Sequence, residues 1–486
     1  MSRLLHNLPI EDLNESNDYL GVVDKANLIK TILESNTDQF HEIKMFALYG
    51  EWGSGKSTLM KYLERELKSD FNTFFFDTWQ FEKDDNLPQT LLEYLLHKSE
   101  SLGEDFCGKI LKYAGKILRG LGKSVKVQYK LLDIDPSEFV KEFDKEEPSF
   151  YEALKGFKTE FIRWEDRLTK EKPKKYNIIF IDDLDRCEPE NVLNLLSAIK
   201  LFFTYGEKTI FFFGVDKKAV QQAIQTKYKD VVKSEEYLEK VFDVSFSMPK
   251  HENVLKLVAT YFDERDIQGE KLNEKIAIFF RKLHFTNPRR LKKVLNKYIL
   301  LANVKESLEE DHAYTKFIGN ITTSKYTGNY FETILTLYFI VLKESYPELF
   351  ATFFDLKLKE SMFINAYSKS GLTSQRSINS LKFYLKKENI TIKGLDLIFN
   401  ASTLRFDNTH NETLKVSTIF IPNNILGMED DLNNSGDTYN KIHISEKLID
   451  FYFLKYLCDN LESFRKLQNY SDKSISDIYQ GIKQIL

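Results

Sequence analysis

Apolar and polar positions along the chain follow two periodicities. Short apolar runs occur at 45–49, 73–78, 176–181 and 209–215. Runs of that length without alternation read as strands buried on both faces, as in the centre of a parallel sheet. Residues 242–247, Phe-Asp-Val-Ser-Phe-Ser, alternate instead and predict an edge strand. Helical spacing fills the gaps, with helices predicted over 58–63, over 190–202 and from about Lys218. Strands that alternate with helices predict an α/β fold with a parallel, helix-covered sheet.

The first strand runs into Gly50-Glu51-Trp52-Gly53-Ser54-Gly55-Lys56-Ser57, followed by Thr58 and a helix. The spacing G-x-x-x-x-G-K-[ST] is that of a phosphate-binding P-loop, and strand, glycine turn and helix are its required context. Glycines let backbone N–H groups close around phosphate oxygens, and the helix N-terminus adds a positive dipole end. In such a loop Lys56 neutralises the β- and γ-phosphates and the Ser57 hydroxyl ligates Mg²⁺. Residues 50–58 are therefore the candidate nucleotide-binding set.

The run at 176–181 ends in Asp182-Asp183-Leu184-Asp185-Arg186. A buried parallel strand delivers such acids to the C-terminal edge of the sheet, where the P-loop also lies. Asp182 is the candidate Mg²⁺ carboxylate, and Asp183 the candidate for orienting or activating the attacking water. Asp183 or Asp185 could also cap the following helix. Arg186 could pair with a nearby acid or reach a neighbouring subunit's nucleotide. Trp79, at a strand end among Phe residues, reads as core packing, and Trp52 as a residue beside the nucleotide. Cys187 reads as a small buried residue. Asp216 reads as a polar sensor or as a cap for the helix from Lys218.

Bulk properties narrow the class. The chain has 486 residues, enough for two or three domains, and 42% hydrophobic content, enough for a substantial core. A net charge of −4 does not by itself announce nucleic acid. Three separated cysteines, Cys107, Cys187 and Cys458, argue for a reducing compartment and against a disulfide framework or zinc site. The first residues lack a signal-peptide apolar run, and no apolar window approaches the ~20 residues that span a bilayer. These features predict a cytoplasmic protein that is not transmembrane.

Between the second and third strands lies a long insertion. In 107–123, Lys109, Lys112, Lys116, Arg119 and Lys123 recur at helical spacing opposite a stripe of Ile110, Leu111, Ala114, Ile117, Leu118 and Leu121. The stripe could pack on the core with the lysines in water. Alternatively, the 107–130 stretch could meet an anionic membrane or the phosphates of a partner. Farther on, 328–346, 372–388 and 444–465 have helical spacing, 414–421 is strand-like and 429–437 reads as a loop. His312, His410 and His443 have no metal-ligand companions nearby in sequence.

Several ordered segments together resemble the KAP family of P-loop NTPases. They are Asp18-Tyr19-Leu20-Gly21, the P-loop with Trp52, Phe76-Asp77-Thr78-Trp79 and Asp182-Asp183-Leu184-Asp185-Arg186-Cys187. Phe213-Gly214-Val215-Asp216, Tyr237-Leu238-Glu239-Lys240-Val241-Phe242 with Phe246-Ser247-Met248-Pro249, and Asn287-Pro288-Arg289-Arg290-Leu291-Lys292 complete the set. The resemblance covers about 15–300. It implies an additional-strand P-loop sheet of order 5-1-4-3-2, ATP as nucleotide, a helical lid and, for bacterial relatives, links to defence against phages and plasmids. Asn287 suits a cap and Pro288 the first helical position, which puts Arg289 and Arg290 in a first turn where basic charge opposes the helix dipole. The resemblance makes one of them, Arg289 by preference, a γ-phosphate sensor; a solvated basic face is the other possibility.

The expected organisation is a P-loop core at 1–97 and 166–250, a helical insertion at 98–165 and a lid at 251–305. A mostly helical C-terminal region at 306–486 would sense or bind a protein or nucleic acid. The expected function is an ATP-hydrolysing switch or motor using ATP and Mg²⁺, able to assemble as a homo-oligomer. The rival is a nucleotide-gated scaffold with negligible turnover.

Overall fold

The computed structural model describes residues 4–82, 84, 86–99, 104–120, 148–171, 176–228, 231–249, 254–264, 266–267, 269–307, 330–352, 449, 452–453, 456, 460 and 472–486. The sequence-predicted elements at 372–388, 414–421 and 429–437, and most of 444–465, lie outside these residues. So do residues 121–130 of the basic stretch, Cys458 and the three histidines. The chain divides into two compact units, Leu8–Lys250 and Met1–Asn7 with His251–Leu486.

The first unit is built on five parallel strands: β1 (Met45–Tyr49), β2 (Phe71–Asp77), β3 (Tyr176–Asp182), β4 (Thr209–Val215) and β5 (Val244–Ser247). Their order across the sheet is β2-β3-β4-β1-β5, which read from the other edge is the expected 5-1-4-3-2. All seven residues of β4 are buried, and six of seven in β3. Edge strand β5 alternates between half-buried and exposed positions. Both patterns follow from position: a central parallel strand is covered on both faces and an edge strand is not.

Successive side chains leave opposite faces and enter two separate cores. Phe46, Leu48, Ile178, Phe180, Ile210 and Phe212 meet helices α1 (Val22–Ser35) and α2 (Lys56–Glu66). Met45, Ala47, Ile179, Ile181, Phe211 and Phe213 face the other way. There they meet α3 (Leu87–Lys98), α4 (Glu104–Gly120), α5 (Phe150–Glu171) and α6 (Pro189–Leu201). Helices α7 (Lys217–Tyr228) and α8 (Val231–Val241) complete this layer. Stacked Phe46, Phe212 and Phe246 tie three adjacent strands on the first face, with ring centroids 6.1–6.5 Å apart.

The insertion supplies α4 and α5. Ile110, Leu111, Ala114, Ile117 and Leu118 are buried with Phe157, Phe161 and Trp164 of α5, so the apolar stripe packs on the core. Lys109 is exposed. Two polar anchors fix α5. Trp164 Nε1–H donates to Ser99 Oγ at 2.9 Å, and the Glu165 carboxylate accepts the Glu207 and Lys208 N–H groups at 2.7 and 3.0 Å.

In the second unit α9 (Leu272–Lys282), α10 (Pro288–Ser307), α11 (Tyr330–Ser345) and α12 (Asp472–Ile485) are the main helices. Glu344 on α11 accepts ion pairs from Lys293 and Lys297 on α10. The Lys343 ammonium caps α12, donating to the carbonyls of Ile482 and Lys483 at 2.9 and 3.1 Å. Among the described residues no helix is long and apolar enough to cross a membrane.

The packing of α4 yields a direct test. Ile117→Asp puts an unpaired charge into the core and should cost about 3 kcal/mol or more, whereas Lys109→Glu should change stability by about 0.5 kcal/mol or less. Urea denaturation followed by circular dichroism measures both. Equal stability of the two variants would mean that the stripe is not buried.

Candidate nucleotide site

The loop between β1 and α2 departs from the sheet at Gly50, whose N–H donates to Val215 O at 3.1 Å. Gly53 and Gly55 have φ of +80° and +99°, in the region that L side chains rarely adopt. These values turn the chain into the N-terminus of α2, where Gly55 stands at the cap position and brings no side chain of its own. The first amides of a helix have no intrahelical acceptor, so this turn presents donors and the positive dipole end together. The Lys56 side chain is almost fully buried and folds back over the loop. Its ammonium donates to Gly50 O at 2.9 Å and to Glu51 O at 3.3 Å. Trp52 is about half exposed, and its N–H donates to Asp216 Oδ2 at 2.8 Å.

Asp182, the last residue of β3, is buried and has the Ser57 hydroxyl beside it. Burial raises its pKa, while Ser57, the Asp183 amide and the Lys56 charge pull it down. Its backbone is fixed as well, because the buried Thr78 hydroxyl donates to Asp182 O at 2.7 Å. Cys187, buried as expected, donates its thiol to Thr78 O at 3.5 Å.

Asp183 behaves differently from its neighbour. It has φ 56° and ψ 30°, a left-handed conformation that an aspartate adopts at a cost of about 1–2 kcal/mol. Burial, reinforced by the Asp182 charge and opposed by Arg186, pushes its pKa up to about 6. Neither Asp183 nor Asp185 caps the next helix. Glu188 holds the cap position of α6 and Pro189 opens it. Arg186 pairs locally, its Nη2 lying 3.2 Å from Asp183 Oδ2. The guanidinium also stacks 4.3 Å from the centre of the Trp79 ring.

Trp79 corrects the expectation of core packing. It is 51% exposed, because β2 ends at Asp77 and residues 78–81 form a 3-10 turn that carries the indole out of the Phe layer. Asp77 makes that turn by accepting the Trp79 N–H at 3.1 Å. Asp216 is the cap of α7, accepting the Lys218 and Ala219 N–H groups at 3.1 and 3.4 Å, and it holds the loop at Trp52 with its other oxygen.

Residues 50–58, Asp182 and Asp183 thus come together in the Leu8–Lys250 unit. Arg289 and Arg290 belong to the other unit. They occupy the first turn of α10, where Asn287 Oδ1 accepts the Arg290 N–H at 3.3 Å and Arg289 donates to Asn7 O at 3.5 Å. Sequence reasoning gave no role to Gly214 or Thr78. Gly214 matters through a strand that does not adjoin it in sequence, and Thr78 through one buried hydroxyl; neither has a local pattern.

The donor set fits a magnesium nucleotide. A hydroxyl and a carboxylate adjoin, an ammonium and backbone amides line the loop, and acids crowd the sheet edge. Among the described residues no cluster of three or more His, Cys, Asp or Glu side chains could hold a metal ion. Mg²⁺ needs no such cage: one or two protein oxygens, phosphate oxygens and water suffice.

Comparison with known proteins agrees with this geometry. The model of the KAP family P-loop domain matches residues 25–382, which extends the likeness past 300, where the sequence motifs end. An uncharacterized protein of Methanocaldococcus jannaschii is 36% identical over 172 residues, covering 29% of this chain and 88% of that protein. A second uncharacterized protein of the same organism is 40% identical over 111 residues, covering 22% of this chain and 44% of its own length.

The Asp183 backbone makes a stability prediction. Asparagine tolerates the left-handed region and a β-branched residue does not. Asp183→Val should therefore be about 1–2 kcal/mol less stable than Asp183→Asn in urea denaturation. Equal stabilities would argue against the left-handed backbone.

Proposed function

The chain belongs to the KAP family of P-loop domains, and from that premise we propose that it binds ATP with Mg²⁺ and hydrolyses the nucleotide as a conformational switch or motor. The observation that carries this reading is the placing of the buried Asp182 carboxylate beside the Ser57 hydroxyl and the Lys56 ammonium, at a glycine turn that opens onto a helix N-terminus. In this reading residues 50–58 wrap the phosphates. Lys56 exchanges the carbonyls of Gly50 and Glu51 for β- and γ-phosphate oxygens. Ser57 and, through water, Asp182 would hold Mg²⁺, which would supply positive charge to the phosphate oxygens.

Asp183 orients a water molecule in line with the γ-phosphorus. The water oxygen forms the new bond to phosphorus, the bond to the β,γ-bridging oxygen breaks, and ADP leaves. The water proton passes to the Asp183 carboxylate or onward to solvent. Positioning and charge do most of this work, because little covalent chemistry is asked of the protein. Arg289 or Arg290, Arg289 by preference, senses the γ-phosphate and couples it to the lid.

The Arg186–Asp183 pair supports a switch with a low resting rate, since the candidate water-orienting acid is already engaged. The proposed triggers are a second copy of the chain, a protein or nucleic acid bound through 306–486, or an anionic membrane or phosphate met through 107–130. The proposed setting is the cytoplasm, and the family resemblance adds a role in defence against phages and plasmids.

Steady-state ATP hydrolysis with and without DNA, RNA and liposomes tests the reading. Lys56→Ala should lose ATP binding. Asp183→Asn should keep binding and slow turnover by about 10²–10⁴-fold. Normal ATP binding by Lys56→Ala would remove the site assignment, and full turnover by Asp183→Asn would remove that residue's role. ATP binding without turnover under every condition would favour the nucleotide-gated scaffold.

A further inference from the structure

The strand that carries Asp182 does not adjoin the strand that leads into the loop. β4 lies between β3 and β1. Neighbouring strands are about 4.8 Å apart, so the Asp182 carboxylate meets Ser57 only by lying over β4. The residue it crosses is Gly214. Phe213 pairs with Ile181 and Gly214 with Leu48, which puts Gly214 level with Asp182. A Cβ at 214 would stand 2.7 Å from Asp182 Oδ1 and 2.8 Å from Met60 Sδ. Both are outer atoms of side chains. A methyl group there would therefore displace the carboxylate before it displaced the sheet.

The next two residues act on the loop from the other side. Val215 O accepts the Gly50 N–H, and Asp216 Oδ2 accepts the Trp52 N–H. A carboxylate next to an anion site would ordinarily repel the ligand. Here its charge is offset by the N-terminal amides of α7, two of which donate to Asp216 Oδ1. The strand itself is buried along its whole length, so these contacts have a fixed base.

We propose that residues 214–216 are the positioning element of the nucleotide site: Gly214 gives the Asp182 carboxylate its path to Ser57, and Val215 and Asp216 hold the phosphate loop in its receptive curve. In this proposal all three act through Asp182 and the phosphate loop, as positioning residues. The proposal rests on the reading of this site as a magnesium-nucleotide site. It assigns separate consequences to the two halves. Gly214 governs the cation side and Asp216 the phosphate side.

The experiment is equilibrium binding of a fluorescent, non-hydrolysable ATP analogue to the full chain, in EDTA and across a magnesium titration. Trp79→Phe serves as the background, so that changes in indole emission report Trp52 beside the buried Trp164. Gly214→Ala should bind the analogue normally in EDTA and require about 10–100-fold more magnesium to gain the cation-dependent affinity. Asp216→Ala should weaken binding about tenfold or more in EDTA and in magnesium alike, shift Trp52 emission and speed hydrogen exchange at the Trp52 amide. Asp216→Asn keeps one acceptor oxygen and should fall between. Should Gly214→Ala fail to fold, the same titration on Gly214→Ala with Met60→Ala keeps the clash with Asp182 and relieves the one with sulfur.

A wild-type magnesium requirement in the folded 214 variant overturns the first half. Wild-type affinity and exchange in Asp216→Ala overturn the second. Failure of the parent protein to bind the analogue at all would instead overturn the nucleotide reading, and so is distinguishable from either.

Discussion

The approach of the Asp182 carboxylate to Ser57 is the constraint around which the first unit is arranged. It joins the start of α2 to the end of β3 across an intervening strand. A side chain as short as aspartate reaches that far only if the sheet is level at that edge and the crossed strand offers no side chain. The paired register of β3, β4 and β1 meets the first condition, and Gly214 meets the second. Thr78 adds a third by pinning the Asp182 carbonyl just beyond the end of β2, which fixes the backbone from which the carboxylate extends.

Two consecutive acids thereby acquire different surroundings. Asp182 continues the strand, is buried and faces Ser57 and Lys56. Asp183 turns into the left-handed region, which sends its side chain away from its neighbour's and toward Arg186. Both carboxyl pKa values are raised by burial, yet one is balanced by a hydroxyl and an ammonium and the other by a guanidinium held against an exposed indole. A single unusual backbone angle separates their environments.

The sheet and the loop were legible because their signals are local. Unbroken apolar runs mark central strands, 242–247 alternates as an edge strand must, and the loop motif sits in its strand–helix context. The strand order was legible only through the family resemblance, since periodicity carries no information on which strands adjoin. Trp79 escapes residue-type reasoning for a similar reason. Its Phe neighbours suggested a core, but the turn made by Asp77 reverses its direction, and nothing in residue type announces that turn. Gly214 lay within a quoted motif without an assigned cause, because the atom it makes room for belongs to a residue 32 positions earlier. The choice of Arg186 between a local and a distant partner depended on the rotation of Asp183, which the left-handed backbone sets.

Rigidity at the sheet edge decides where motion can enter. β4 is gripped before its start through Glu165, whose carboxylate takes the amides of Glu207 and Lys208, and at its end through the loop contacts of Val215 and Asp216. Burial opposes the charge on Glu165, and two backbone donors with the Thr209 hydroxyl offset that cost, so the insertion helix is fastened to the strand that organises the site. With the backbone fixed, response to a ligand falls to side chains that hold exchangeable partners. Lys56 is bound to two loop carbonyls, neutral acceptors that an anion can displace. Arg186, itself partly buried, is bound to an acid and to an exposed ring. Each can change partner without disturbing the sheet, which is the physical requirement for a site that is preorganised and yet responsive.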